Sequence, residues 1–271
     1  GLSHFKQAVC KSLIVSEITL NHIDKYKGEF VDLVKQATLN MDLRTIKAFL
    51  FWLQVRGRIS EVPKIKIKKE NKPPVYLTNK QFKEICKRVD LHFQRAFWFY
   101  RETGLRLSEP FNATLDGDFL IVESDKHKGH REHTIHLTPE EKRVYHEIRT
   151  MVSEKVRRGI STRKNAIHLY TKVFYLACLG DEKKGWERII GRKFHSLRQT
   201  GAVRLYLKTR DIYAVMKQLG HSSVTVTEIY TKFNIRLLEQ HLPDLVKSPQ
   251  KQAKSQPSDT LLPETHIPIF A

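Results

Sequence analysis

Residues 193–230 read KFHSLRQTGAVRLYLKTRDIYAVMKQLGHSSVTVTEIY, and the fold turns on how this stretch is read. Apolar residues recur at helical spacing over 195–207 and again over 211–219, which predicts two helices separated by a short break. His195 and Arg198 are one turn apart and therefore face the same way on the first of them. Phe194 before them and Gly201 after them suggest that one side packs while the other stays open. Gly220 closes the second helix, His221 follows it directly, and Ser222 and Ser223 stand ready to cap a further helix that carries Tyr230. Each signal alone has a bland alternative. A helical His–Arg pair is usually structural, a loop histidine is usually satisfied or exposed, and a tyrosine in an amphipathic helix is usually half-buried packing.

Working towards the N-terminus, a second phrase carries charge: Thr103-Gly104-Leu105-Arg106-Leu107-Ser108-Glu109. The Thr-Gly turn lets backbone approach a ligand closely. Glu109, three residues after Arg106, is expected on the same helical face, where it can hold the guanidinium by a charge-assisted bond. Pro110 shortens that helix. A third phrase, residues 125–131, reads DKHKGHR between two candidate strands at 118–124 and 131–137. Its ordinary reading is a solvated hairpin turn. The sharper one is a hairpin tip that projects the ammonium of Lys128, with Lys126 as the rival, into a groove as a proton donor.

The rest of the chain reads as mainly α with a small antiparallel β-sheet. Leu43, Ile46, Phe49, Leu50 and Leu53 trace one helix stopped at Gly57, and Ile18, Ile23, Tyr26, Phe30 and Leu33 trace one or two more. This predicts a helical unit over 1–62. Lysines alternate with apolar residues over 63–77 between bracketing prolines, which predicts a basic extended linker rather than a strand. A domain over 78–245 opens on the capping box Thr78-x-x-Gln81. Helical patterns continue over 82–89, 91–100, 139–158 and 172–179. Residues 246–271 read as a flexible tail whose apolar end could dock on a neighbouring protomer.

Of the 271 residues, 48 are Lys or Arg against 29 Asp or Glu, a formal net charge of +19. Such an excess calls for a polyanion, with nucleic acid first and an acidic membrane surface second. No apolar run is long enough to span a bilayer, and no signal peptide is evident. Cys10, Cys86 and Cys178 lack paired spacing and read as reduced thiols of a cytoplasmic protein. His127, His130, His133 and His136 fall three apart, but they run from a turn into a strand where neighbours face opposite ways, so they do not form a zinc site. There is no H-E-x-x-H, Walker or dinucleotide motif.

Two guanidiniums, an ammonium and two imidazoles around one phenol form a coherent kit for attack on a phosphodiester, and it needs no metal ligand or cofactor. The order, spacing and phrasing of Arg106, Lys128, His195, Arg198, His221 and Tyr230 resemble the tyrosine recombinase (phage integrase) family. The resemblance covers 78 to about 242, and the helical unit before it resembles that family's core-site-binding domain in general character. It departs at Pro110, where an aliphatic residue is expected, and at His136, where a proline is expected.

The resemblance implies Tyr230 as nucleophile through a 3′-phosphotyrosine, Arg106 and Arg198 on the phosphate, His195 and His221 at the two histidine positions, and Lys128 as the hairpin lysine. Nearby cations are expected to favour deprotonation of Tyr230. It implies double-stranded DNA with a specific recombination site as partner, a homo-tetramer on that DNA, room for accessory DNA-bending proteins, and a nucleoid-associated cytoplasmic location. The helical unit and catalytic domain would clamp the duplex, with Lys64, Lys66, Lys68 and Lys69 on the backbone. Two other readings stay open. A type IB topoisomerase usually carries Lys where this chain has His195. A non-catalytic basic DNA-binding protein would not need the six-residue array.

Overall fold

A computed structural model describes residues 2–9, 14–68, 73–123, 132–221, 223–224, 227–231 and 233–245. The chain forms two compact units, 1–72 and 73–271. The expected mainly helical class with one small antiparallel sheet is what the structure shows.

In the first unit, helices α1 (Leu2–Ala8), α2 (Leu20–Phe30) and α3 (Gln36–Val55) enclose a core of Phe5, Ile23, Tyr26, Leu43, Ile46 and Leu50. Leu39, Leu43, Ile46, Leu50 and Leu53 are buried at alternating steps of four and three, so one stripe of α3 faces inward. Gly57 stops the chain beyond it with a φ of 65°. Asp42 is buried in this core and is partnered by the Tyr26 hydroxyl at 2.7 Å and by His4 Nδ1 at 3.0 Å. Leu33, expected to pack, is instead 74% exposed.

The 63–77 stretch has contacts of its own at both ends. Ile65 is buried in the core of the first unit, and the Asn40 side chain donates to the Lys68 carbonyl at 2.8 Å. Lys64, Lys66 and Lys68 are exposed between these inward contacts, while Lys69 lies outside the described residues. At the other end, Val75 N and Leu77 N donate to the side chains of Gln199 and Thr200.

The second unit opens with α4 (Asn79–Lys87), where both bonds of the Thr78–Gln81 capping box form. Next come α5 (Leu91–Thr103), the four-residue α6 (Glu109–Asn112) and strands β1 (Thr114–Asp116), β2 (Phe119–Val122) and β3 (His133–His136). The strands form an antiparallel sheet in sequence order, with Asp116 opposite Phe119 and Val122 opposite His133. Strand β1 was not expected. It is short for periodicity to register, and Gly117, at a φ of 56°, makes the tight turn into β2. Residues 124–131, with Lys126 and Lys128, lie outside the described residues. On β3, His133 is buried and His136 exposed, the opposite facing that their odd spacing requires.

Helix α7 (Pro139–Arg157) starts at a Thr138–Glu141 capping box, α8 (Arg163–Cys178) begins earlier than expected, and α9 (His195–Thr209) and α10 (Ile212–Leu219) follow. A 3₁₀ turn (Glu228–Tyr230), α11 (Ile235–His241) and a final 3₁₀ turn (Pro243–Leu245) close the described chain. Tyr230 therefore lies in a tight turn rather than an amphipathic helix. The tail over 246–271 lies outside the described residues.

Helices α5 and α9 cross at glycine. A Cβ at Gly201 would sit 2.5 Å from the Arg101 carbonyl oxygen and 3.3 Å from Gly104 Cα. Gly104 caps α5 in the left-handed region (φ 69°), where a Cβ would meet the Leu219 side chain at 2.9 Å. The Thr103–Gly104 turn thus lets α9 and α10 pack closely against the end of α5. Alanine in a helix interior is ordinarily about 1 kcal/mol better than glycine. Gly201→Ala should reverse that sign and lower the unfolding free energy by about 1–3 kcal/mol, because backbone must move. Denaturant melts of the two proteins check it, and an unchanged or raised midpoint contradicts the crossing described here.

Candidate catalytic site

The site is built where the ends of α5 and α10 meet the first turn of α9. Arg198 is buried on α9, and its guanidinium donates to the Gly104 carbonyl at 2.6 Å through Nη1 and to the Leu219 carbonyl through Nη2. Those carbonyls end α5 and α10, where helix dipoles favour a cation. Burial pulls the Arg198 pKa down to about 10 and Arg106 adds to the fall, while Glu109 and Tyr230 oppose it. It remains charged at neutral pH.

Glu109 draws the second arginine in. Its carboxylate accepts the Arg106 backbone N–H at 2.6 Å and the Arg106 Nη1 at 2.6 Å, and it stands 3.7 Å from Arg198 Nη1. Arg106 precedes α6 rather than sharing its face. Glu109 is the first residue of that helix and reaches back to the turn before it, and Pro110 is tolerated because it falls in the first turn. Burial works to raise the Glu109 pKa, but Arg198 and Arg106 outweigh it, and the net shift is downward. Arg106 keeps partial exposure, whereas Glu109 and Arg198 are closed off.

His221 follows Gly220, whose φ of 59° turns the chain out of α10. Its Nδ1 lies 2.9 Å from Thr227 Oγ1. Burial, then Arg198, Arg106, His133 and His195, push its pKa down to about 4, so the ring is neutral at pH 7. The same influences place these side chains in one neighbourhood. His195 is the exposed first residue of α9, while Phe194 before it packs edge-on against Tyr100, Phe97 and Phe174, and Arg198 one turn on is buried, so of the expected pair only His195 stays open.

Tyr230 is buried among Ala202, Val203, Leu207, Val215 and Leu219. Burial pushes its pKa up to about 12, with Arg198 pulling the other way. The expectation that nearby cations favour the phenolate is corrected here, because in this arrangement loss of solvent outweighs Arg198.

The structure thus gathers Arg106, Glu109, Arg198, His195, His221 and Tyr230. Lys128 lies outside the described residues. Three neighbours were not singled out by their sequence context. His133 on β3 donates through Nε2 to the Gln218 carbonyl at 2.9 Å, Gln218 donates its side-chain amide to the Thr103 carbonyl at 2.9 Å, and Thr227 meets His221. The alternating burial of β3 was the one available signal for His133.

A model of the phage integrase family matches residues 76–236, more than half of the chain. The chain belongs to the phage integrase family. It is 29% identical over 186 residues to tyrosine recombinase XerC of Caldanaerobacter subterraneus, covering 63% of this chain and 50% of that protein. It is 30% identical over 165 residues to tyrosine recombinase XerD of Rhizobium meliloti, covering 57% and 51%. The chain therefore spans about half the length of these two relatives.

Among solved structures, a lambda integrase dimer bound to a COC′ core site superposes with a TM-score of 0.64 at 18% identity, over 84% of each chain. The Tn1549 transposon integrase in complex with transposon right end DNA gives 0.64 at 17% identity, over 84% of this chain and 85% of that one. At that identity the likeness establishes the integrase fold.

Removing the negative charge of Glu109 should leave the buried Arg198 uncompensated. Glu109→Gln is expected to cost about 3 kcal/mol or more of stability at pH 7. Because the folded pKa lies below the unfolded value of about 4.3, the carboxylate's contribution is present above that value and is lost as pH falls through the folded one. The gap between wild type and variant should therefore narrow on acidification. Equal unfolding free energies at pH 7 would refute this.

Proposed function

We propose that this phage integrase family member is a site-specific DNA recombinase that cuts and rejoins strands through Tyr230. The observation that carries the proposal is the sharing of one buried carboxylate by two arginines from distant parts of the chain, beside a neutral histidine and a tyrosine. One carboxylate against two guanidiniums leaves a net positive charge in a confined place, which suits a phosphate whose negative charge grows on attack.

In this mechanism the Tyr230 phenolic oxygen attacks the scissile phosphorus in line. An O–P bond forms to give a 3′-phosphotyrosine as the bond to O5′ breaks. The phenolic proton passes to His195, and Lys128 protonates the departing 5′-oxygen. Arg106 and Arg198 hold the non-bridging oxygens, Arg198 turning from its carbonyl partners as the anion arrives, and His221 adds a neutral donor. Withdrawing the phenol from its apolar packing removes the burial that holds its pKa up.

The covalent intermediate conserves the bond energy, so rejoining draws on no ATP, and no metal is assigned a step. A 5′-hydroxyl from a partner strand reverses the attack and completes the exchange. The substrate is double-stranded DNA with a specific site, bound as a tetramer. The first unit is assigned to core-site binding, with Lys64, Lys66 and Lys68 supplying salt-sensitive phosphate contacts.

Incubation with a nicked duplex carrying the preferred site, found by selection from random DNA, should yield a denaturant-stable adduct through Tyr230. Tyr230→Phe should give none, and Arg106→Ala or Arg198→Ala should slow adduct formation about a hundred- to thousand-fold. No adduct with the wild-type protein would leave only a DNA-binding role. An adduct accompanied by relaxation of plasmid lacking the site would indicate a topoisomerase.

A further inference from the structure

Thr227 is fully buried, and its hydroxyl makes a single hydrogen bond among the described residues, to His221 Nδ1 at 2.9 Å. A hydroxyl carries one proton, and when buried that proton needs an acceptor. A neutral imidazole carries one proton on one of its two nitrogens. If His221 held it on Nδ1, two donors would face each other across this contact, or the hydroxyl proton would point away into a site with no other acceptor among the described residues. If His221 holds it on Nε2, Nδ1 is a bare acceptor and the hydroxyl is satisfied.

We infer that Thr227 is a positioning residue: its hydroxyl donates to Nδ1, fixes His221 in the Nε2–H tautomer, and so makes Nε2 the donor presented to the phosphate. The inference rests on His221 acting as that donor, and it deepens the proposed function by assigning what sets the donor. The ring is flanked by Arg198, Arg106, His133 and His195, which disfavour a second proton on it, while Glu132 and Lys217 line the adjoining cavity of about 250 Å³. A neutral ring with one proton is the case in which tautomer decides function. Thr227 also accepts the Tyr230 backbone N–H on its own carbonyl at 3.0 Å, so one residue ties the donor histidine to the turn that carries the tyrosine.

Long-range nitrogen–proton correlation spectra of ¹⁵N-histidine-labelled protein at pH 7 read the tautomer directly, with His221 assigned by its loss in His221→Gln. The wild type should show His221 protonated on Nε2. Thr227→Val, which keeps shape and removes the hydroxyl, should give a mixed population and form the Tyr230 adduct about tenfold or more slowly. Thr227→Ser should restore both the tautomer and the rate to within about threefold of wild type.

Protonation on Nδ1 in the wild type overturns the inference, and that result needs no variant to fold. A Thr227→Val protein with an unchanged tautomer and rate also overturns it. If His221→Gln itself leaves the adduct rate unchanged, the assignment of His221 as donor fails instead, whichever tautomer is seen.

Discussion

One carboxylate organises the chemistry of this molecule. Glu109 holds Arg106 by two bonds and stands within ion-pair distance of Arg198, although the two arginines come from a turn and a helix far apart in sequence. Guanidiniums repel, and burying one is costly. A buried carboxylate between them offsets both penalties only because the remaining donors are also used. Arg198 spends its own on the carbonyls that end α5 and α10, and this sets where those two helices stop relative to α9. The same crossing requires glycine at 201, where a Cβ would meet the Arg101 carbonyl and push the helices apart, and favours it at 104, where φ is 69°. Fold and site are therefore one construction.

The electrostatic consequences run outward from that centre. Local burial and two nearby cations keep His221 neutral, so its ring carries a single proton at pH 7. Tyr230 meets the opposite balance. Apolar neighbours from α9, α10 and α11 surround it, and Arg198 offsets only part of the burial, so the phenol is held in its protonated form. The arrangement keeps the phenol packed away from water while Arg106 and Arg198 stay gathered at Glu109.

Much of this was legible locally. Thr78 and Thr138 announce their helices because a capping box is a four-residue code, and both boxes form as spaced. The phrases around Arg106, His195, Arg198 and His221 mark charged residues at turns and helix starts, and the family resemblance ordered them. What was not legible depends on contacts between segments. Glu109 seemed to share a helical face with Arg106, but α6 begins at Glu109 and the bond runs backwards to a turn. The close packing of Gly104 beside Leu219 and Gly201 is likewise a contact between distant segments. Tyr230 seemed helical and cation-activated, but the chain tightens into a 3₁₀ turn that packs it away from water. Thr227 and Gln218 gave no local cue, because their partners lie on other elements or across a turn, and strand alternation was the only cue to His133.

The central claim is that Arg106 and Arg198 act on one phosphate as a unit. A double-mutant cycle on single-turnover adduct formation tests it, with Arg106→Ala and Arg198→Ala measured singly and together. The account predicts that the double variant loses far less than the product of the two single losses, since either loss alone dismantles the shared site. Losses that multiply cleanly would mean the two guanidiniums work independently, and would contradict it.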